Sequence, residues 1–150
     1  MSYDSRADTY DHIHEVQSLL YIIVRDLLQR SISHDQSKLR TPEVEAFNEF
    51  TDQLASVTYG SPEYKELLAK MKPALEHHYA LNRHHPEHYA NGVRDMTLMD
   101  IVEMLVDWKA ASLRHNDGNI LKSIAHNQHR FGYSDELKQI LMNTAQHLGY

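Results

Sequence analysis

His34-Asp35-Gln36-Ser37-Lys38 joins two segments that both read as helix. Upstream, from Asp11 to Arg30, the apolar residues Val16, Leu19, Leu20, Ile23, Val24 and Leu27 recur at intervals of three and four, which predicts an amphipathic helix of about five turns. Downstream, Thr41-Pro42-Glu43 supplies a cap, a proline suited to the first helical position and an early acid, the pattern of a helix start. Between them, after a short break at Ser31 to Ser33, lie an imidazole, a carboxylate and an ammonium. Imidazole and carboxylate together suit Zn, Mn, Fe, Co or Ni, and an ammonium suits a phosphate oxygen. A His-Asp pair arises often by chance, so its meaning depends on which other ligands the chain supplies.

Working outward, every later segment is also helical in pattern. Phe47, Phe50 and Leu54 mark the buried face of a helix from Pro42 to about Ala55. Tyr59-Gly60 ends a loop, Ser61-Pro62-Glu63 repeats the start signal, and the helix that follows carries Leu67, Leu68 and Met71 before Pro73, where a kink or restart is expected. Thr97 to Arg114 holds Ile101, Val102, Met104, Leu105, Val106 and Trp108, leaving little polar surface, as in a central buried helix. Asp117-Gly118-Asn119 reads as a turn and cap for a helix from Ile120 to Arg130, closed by Phe131-Gly132. Ser134 caps a last helix with Leu137, Ile140, Leu141 and Leu148 as its apolar stripe. With no convincing strand, repeat or linker, the expectation is a single all-α domain over residues 1–150, a bundle of about six helices.

Composition narrows the chemistry. A chain of 150 residues can bury roughly 70% of the surface it exposes unfolded, so it needs no staple. It contains no cysteine, which excludes disulfides, zinc fingers and thiol catalysis, so a transition-metal site must use His, Asp and Glu. It has twelve histidines to draw on. The net charge of −6 argues against a broad grip on polymeric nucleic acid, and a small anionic substrate would need a local cluster of positive charge or metal. No apolar run reaches the roughly 18 residues of a membrane span, and residues 1–10 lack a basic-then-apolar leader, which points to a cytoplasmic protein without a membrane partner.

Helical phase then selects candidate ligands. At about 100° per residue, His12 shares a face with Val16, Leu19, Ile23 and Leu27 and is expected to point inward, while His14 falls on the opposite face. The competing explanation for His12 is a core-edge histidine bonded to a backbone carbonyl. The densest cluster is His77, His78, His84, His85 and His88, with Asn82 and Arg83 between. On a straight helix His77 and His84, or His78 and His85, share a face but stand about 10 Å apart, too far to grip one metal together. Two metals, or one metal with phosphate-binding groups, fit that spacing better. Asp100, Glu103, Asp107 and Arg114 line one face of the buried helix. A capping box with Thr97 accounts for Asp100, leaving Asp107 as the carboxylate least explained locally, with a salt bridge to an arginine as its competing role.

His12, His34-Asp35, a histidine cluster and Asp107, in that order on an all-α chain, resemble the HD-domain superfamily of metal-dependent phosphohydrolases. His12-x-x-x-Val16 is similar to the first-helix pattern of that superfamily, and His34-Asp35-x-Ser37-Lys38 looks like its His-Asp-x-Gly-Lys pattern with Ser for Gly. Asn82-Arg83-His84-His85 and Glu103 to Trp108 are similar to stretches of a smaller, uncharacterised HD-like family. The resemblance implies a helical fold, a metal site of His12, His34, Asp35 and Asp107, and hydrolysis of a phosphoester or phosphoanhydride bond, often in nucleotides. It also implies a homodimer as a compatible assembly.

Two imidazoles and two carboxylates leave coordination positions open, so water bound there can become hydroxide near neutral pH. One or two divalent ions are expected, Mn, Co, Fe, Zn or Ni, or else Mg. Asp35 would bridge a second ion if His77 or His78, with His84 or His85, completes another site. Lys38 and Arg83 are candidates to neutralise phosphate charge, Asn82 to bind substrate beside them, and Glu103 to orient or deprotonate water. Lys38 as a solvated helix-end lysine, and Arg83 paired with an acid such as Glu87, are the plainer alternatives. A small nucleotide, as monophosphate or triphosphate, is the expected substrate. An HD-like di-iron oxygenase and a non-catalytic, metal-stabilised binding protein are the alternative readings.

Overall fold

A computed structural model of the chain describes residues 3–57, 61–114 and 118–150. Among them six helices occur and no strand: α1 (Arg6–Ser33), α2 (Glu43–Ser56), α3 (Pro62–Leu81), α4 (Leu98–Ser112), α5 (Ile120–Phe131) and α6 (Asp135–His147). Short 3-10 turns at Gln36–Leu39, Pro86–His88 and Gly92–Asp95 punctuate the connections. The fold is therefore all-α. The chain divides into two compact units, Met1–His34 and Asp35–Tyr150. The expected turn features at Tyr59-Gly60 and Asp117 lie outside the described residues.

The first unit is the single helix α1, which runs on through the break expected at Ser31 to Ser33. The hydroxyls of Ser31 and Ser33 donate to the carbonyls of Leu28 and Gln29, at 2.8 and 3.1 Å, and this back-bonding keeps serine inside a helix. His12 lies on this helix, on the face that also carries Val16, Leu19, Ile23 and Leu27.

The second unit opens on Asp35, whose φ of 56° is left-handed, a conformation that aspartate tolerates better than most side chains. Helices α2 and α3 pack through Phe50, Leu67 and Met71, with Phe47, Leu54 and Leu75 around them. The N-terminus of α3 is capped by Ser61, whose side chain accepts from the Tyr64 amide. The helix passes through Pro73 without the expected restart. An interior proline costs about 3 kcal/mol, and burial of Met71 and Ala74 on either side of it offsets that cost. Helices α4, α5 and α6 enclose a larger core of Ile101, Met104, Leu105, Ile120, Ile124, Leu141 and Ala145. The expected capping box forms between Thr97 and Asp100, and Gly132 ends α5 with a φ of 65°, which a glycine adopts without a Cβ clash.

Candidate metal centre

The centre of the second unit forms where α3 stops. Leu81 is the last helical residue, Asn82 (φ −114°, ψ 102°) turns the chain out of the helix, and Pro86 holds the preceding His85 extended (φ −95°, ψ 128°). His84 and His85 consequently fold back over the end of the helix that carries His78. The Nε2 atoms of His78 and His85 lie 2.9 Å apart, and the rings of His84 and His85 have centroids 4.1 Å apart. The separation of about 10 Å expected on a straight helix is thereby corrected: the helix ends between the two histidines, so the helical rise does not accumulate.

Asp35 meets this trio from the start of the unit. Its Oδ1 is 3.3 Å from His78 Nε2 and 3.5 Å from His84 Nε2. One carboxylate oxygen of Asp35 and one ring nitrogen each from His78, His84 and His85 all lie within 4.8 Å of one another. Ligand atoms placed about 2.1 Å from a tetrahedral ion stand about 3.4 Å apart, which is close to the spacings of Asp35 Oδ1 from His78 and His84, 3.3 and 3.5 Å, and of His78 from His85, 2.9 Å. The donor set is rich in imidazole, which suits transition metals better than Mg.

Carboxylates behind the ring nitrogens fix their direction. Glu43, fully buried at the start of α2, reaches His78 Nδ1 at 2.8 Å through Oε2 and His77 Nδ1 at 2.7 Å through Oε1. Ser37 donates to the same Oε2 at 2.9 Å, and the Asn82 amide donates to Ser37 Oγ at 2.8 Å and to the His78 carbonyl at 2.8 Å. Burial pushes the Glu43 carboxyl upward, but the hydrogen bonds from His77, Ser37 and His78 outweigh it and hold the group below its ordinary range. An ionised Glu43 accepts a hydrogen bond from His78 Nδ1–H, which leaves the Nε2 lone pair aimed at Asp35 and His85. Glu103 plays the same part for His84, with Oε1 3.2 Å from Nδ1.

Charge follows burial. Desolvation, then the proximity of His84 and His78, lowers the His85 pKa to about 3, and desolvation lowers that of His78 against the opposing pull of Glu43. Both rings are therefore neutral near pH 7, the protonation state a metal ligand requires. Lys38 Nζ holds Asp35 Oδ2 at 2.6 Å and lies 5.3 Å from the Phe47 ring centroid, which leaves Oδ1 toward the histidines.

Among the remaining expected site residues, His77 is bound to Glu43 and stands outside the trio, while Asn82 braces the Ser37–His78 pair. Arg83 pairs with the buried Asp100 at 3.3 Å and lies 5.4 Å from the Tyr89 ring centroid, whereas Glu87 pairs with Arg130 at 2.7 Å. Asp107 Oδ2 is 4.0 Å from His84 Nε2. His12 and His34 belong to the first unit, and Asp35 and Asp107 to the second. Glu43 escapes a reading by sequence because any acid in the first turn of a helix has a local explanation, and nothing distinguishes it from Glu45.

No helix among the described residues is long and apolar enough to cross a membrane. No curated protein and no solved structure matches the chain. Residues 1–147 match the family of unknown function DUF5662, and the chain belongs to that family.

Proposed function

We propose that the protein is a metal-dependent phosphohydrolase acting on small nucleotides. The observation that carries this reading is the convergence of Asp35, His78, His84 and His85 on one point, braced from behind by Glu43 and Glu103. A divalent transition metal held there supplies a Lewis acid for a phosphoryl oxygen and lowers the pKa of a coordinated water. His78, His84 and His85 would hold the ion through one ring nitrogen each, and Asp35 through the oxygen it turns toward them, Oδ1. Lys38 keeps Oδ2 occupied and adds positive charge where phosphate oxygens would approach. Asp107, with Oδ2 4.0 Å from His84 Nε2, would be a further ligand or a base for water at the ion, and Glu103, 3.2 Å from His84 Nδ1, would orient that ring or the water. His12 and His34 remain the further ligands implied by the resemblance to HD domains, and a second ion is compatible with this number of donors.

The experiment is phosphate or pyrophosphate release from a nucleotide panel with Mn, Co, Zn or Mg added. Release is expected with a transition metal and is expected to fall at least 100-fold in Asp35→Ala. Fully metallated protein that releases nothing across the panel overturns the hydrolase. Two irons per chain with oxygen uptake would put an oxygenase in its place, since three imidazoles also suit iron.

A further inference from the structure

The segment that carries His84 and His85 is tied at both ends to one carboxylate. Arg83, just before the pair, reaches Asp100 through Nε and Nη2, each at 3.3 Å. Tyr89, beyond the pair, donates its hydroxyl to Asp100 Oδ2 at 2.7 Å. The Arg83 guanidinium lies 5.4 Å from the centroid of the Tyr89 ring, so the two ends also meet each other. Asp100 is fully buried near the start of α4, where it completes the capping box with Thr97. A capping acid needs to accept only one backbone amide, and it can do so at the surface. This one accepts the Thr97 amide at 2.8 Å and, in addition, both ends of the histidine segment, which capping does not account for.

Adjacent side chains point to opposite sides of an extended chain and diverge on a helix, so His84 and His85 converge only where the backbone is held in a particular bend. Between α3 and Tyr89 the chain has only the 3-10 turn Pro86–His88 to shape it. The bend is closed instead by Asp100 at its two ends and by His88 Nδ1, which donates to the Tyr79 carbonyl at 2.8 Å. The helix that carries Asp100 also addresses the ligands. Glu103, one turn on, lies 3.2 Å from His84 Nδ1, and Asp107, a turn further, has Oδ2 4.0 Å from His84 Nε2. A segment released from this hold would have to be ordered at the moment of metal binding, which lowers affinity. We propose that Asp100 is a positioning residue of the metal centre, closing the Arg83–Tyr89 segment at its base and so setting where His84 and His85 meet the ion. Arg83 is then a clasp rather than the phosphate ligand its charge suggests. The proposal rests on the metal-centre part of the functional reading and not on hydrolysis.

Because Asp100 also caps α4, the test removes its partners first. Full-length, metal-free protein is titrated calorimetrically with zinc and no nucleotide. Tyr89→Phe and Arg83→Met are each expected to lower zinc affinity by about tenfold or more, as when an outer partner of a metal ligand is lost. For Arg83→Met the sign is diagnostic. Deleting a cation near the centre would by charge alone raise the affinity for zinc, and deleting a phosphate ligand would leave it unchanged. Thr97→Ala removes the hydroxyl half of the capping box and leaves the clasp. It is expected to lower the Tm of the metal-free protein by several degrees, with zinc affinity within about twofold of the parent. Adding Arg83→Met to Asp100→Asn is expected to cause no further loss of affinity, since the arginine acts through that carboxylate. Affinity unchanged or raised in Arg83→Met, a further loss in the double variant, or a loss in Thr97→Ala as large as in Tyr89→Phe overturns the clasp and leaves the metal centre. A parent protein that binds no zinc overturns the metal centre and the clasp together. Zinc binding with the expected pattern but no phosphate release from any nucleotide removes the hydrolase and leaves the clasp.

Discussion

The most informative single residue is Glu43. A fully buried carboxylate is costly unless several donors meet it, and here His77, His78 and Ser37 do so. Its contribution to the centre is to hold His78 in one tautomer and orientation, a role whose loss typically costs 10–100-fold in metal affinity. Glu43→Gln keeps the shape but forms a weaker, uncharged bond to His78. Calorimetric titration with zinc is expected to show affinity lowered about 10- to 100-fold at unchanged helical content. Unchanged affinity would show that His78 needs no such brace, or does not bind the ion.

Among the elements, the junction of α5 and α6 is held by a hydrogen bond that depends on protonation. Tyr133, just before α6, donates its hydroxyl to the Ile124 carbonyl of α5 at 2.6 Å, and burial pushes its pKa up to about 12. The unfolded chain titrates near 10, so between these values the folded state holds the proton that the unfolded state has lost. The stability from this group is therefore complete below pH 10 and is lost as pH rises toward 12, by about 2–3 kcal/mol. Tyr133→Phe is expected to cost about 1 kcal/mol at pH 8 and to flatten the decline in urea stability between pH 10 and 12. A variant that declines as steeply as the parent protein would place the alkaline loss elsewhere.

For the molecule as a whole, metal binding and folding of the second unit should be linked. Asp35 opens that unit, His78 lies in the last turn of α3, and His84 and His85 follow the turn, so four donors from three segments meet only when the unit is folded. An ion that binds only the folded form stabilises it by about 2.7 kcal/mol at a concentration 100 times Kd. Scanning calorimetry with saturating zinc is expected to show Tm raised by several degrees, the gain reversing with chelator and disappearing in Asp35→Ala. A gain that persists in Asp35→Ala would assign the ion to other ligands.

Local patterns were sufficient for the helices. The three-and-four spacing of apolar residues, the Ser61 and Ser134 caps, the Thr97–Asp100 box and Gly132 are interactions within one turn of chain, so their residue types specify them directly. Pairing Asp35 with a histidine cluster was also legible, from residue types suited to a metal. Three features belonged to tertiary structure alone. Burial of Glu43 against two histidines 34 and 35 positions away leaves no periodic trace. Helix α3 persists through Pro73 because buried neighbours outweigh a local preference. The approach of His85 to His78 follows from the angle at which the chain leaves the helix at Asn82, a backbone choice made by packing and invisible to phase arithmetic on a straight helix. Short-range rules set each element, while the meeting of donors distant in the chain depends on where elements end and what they pack against.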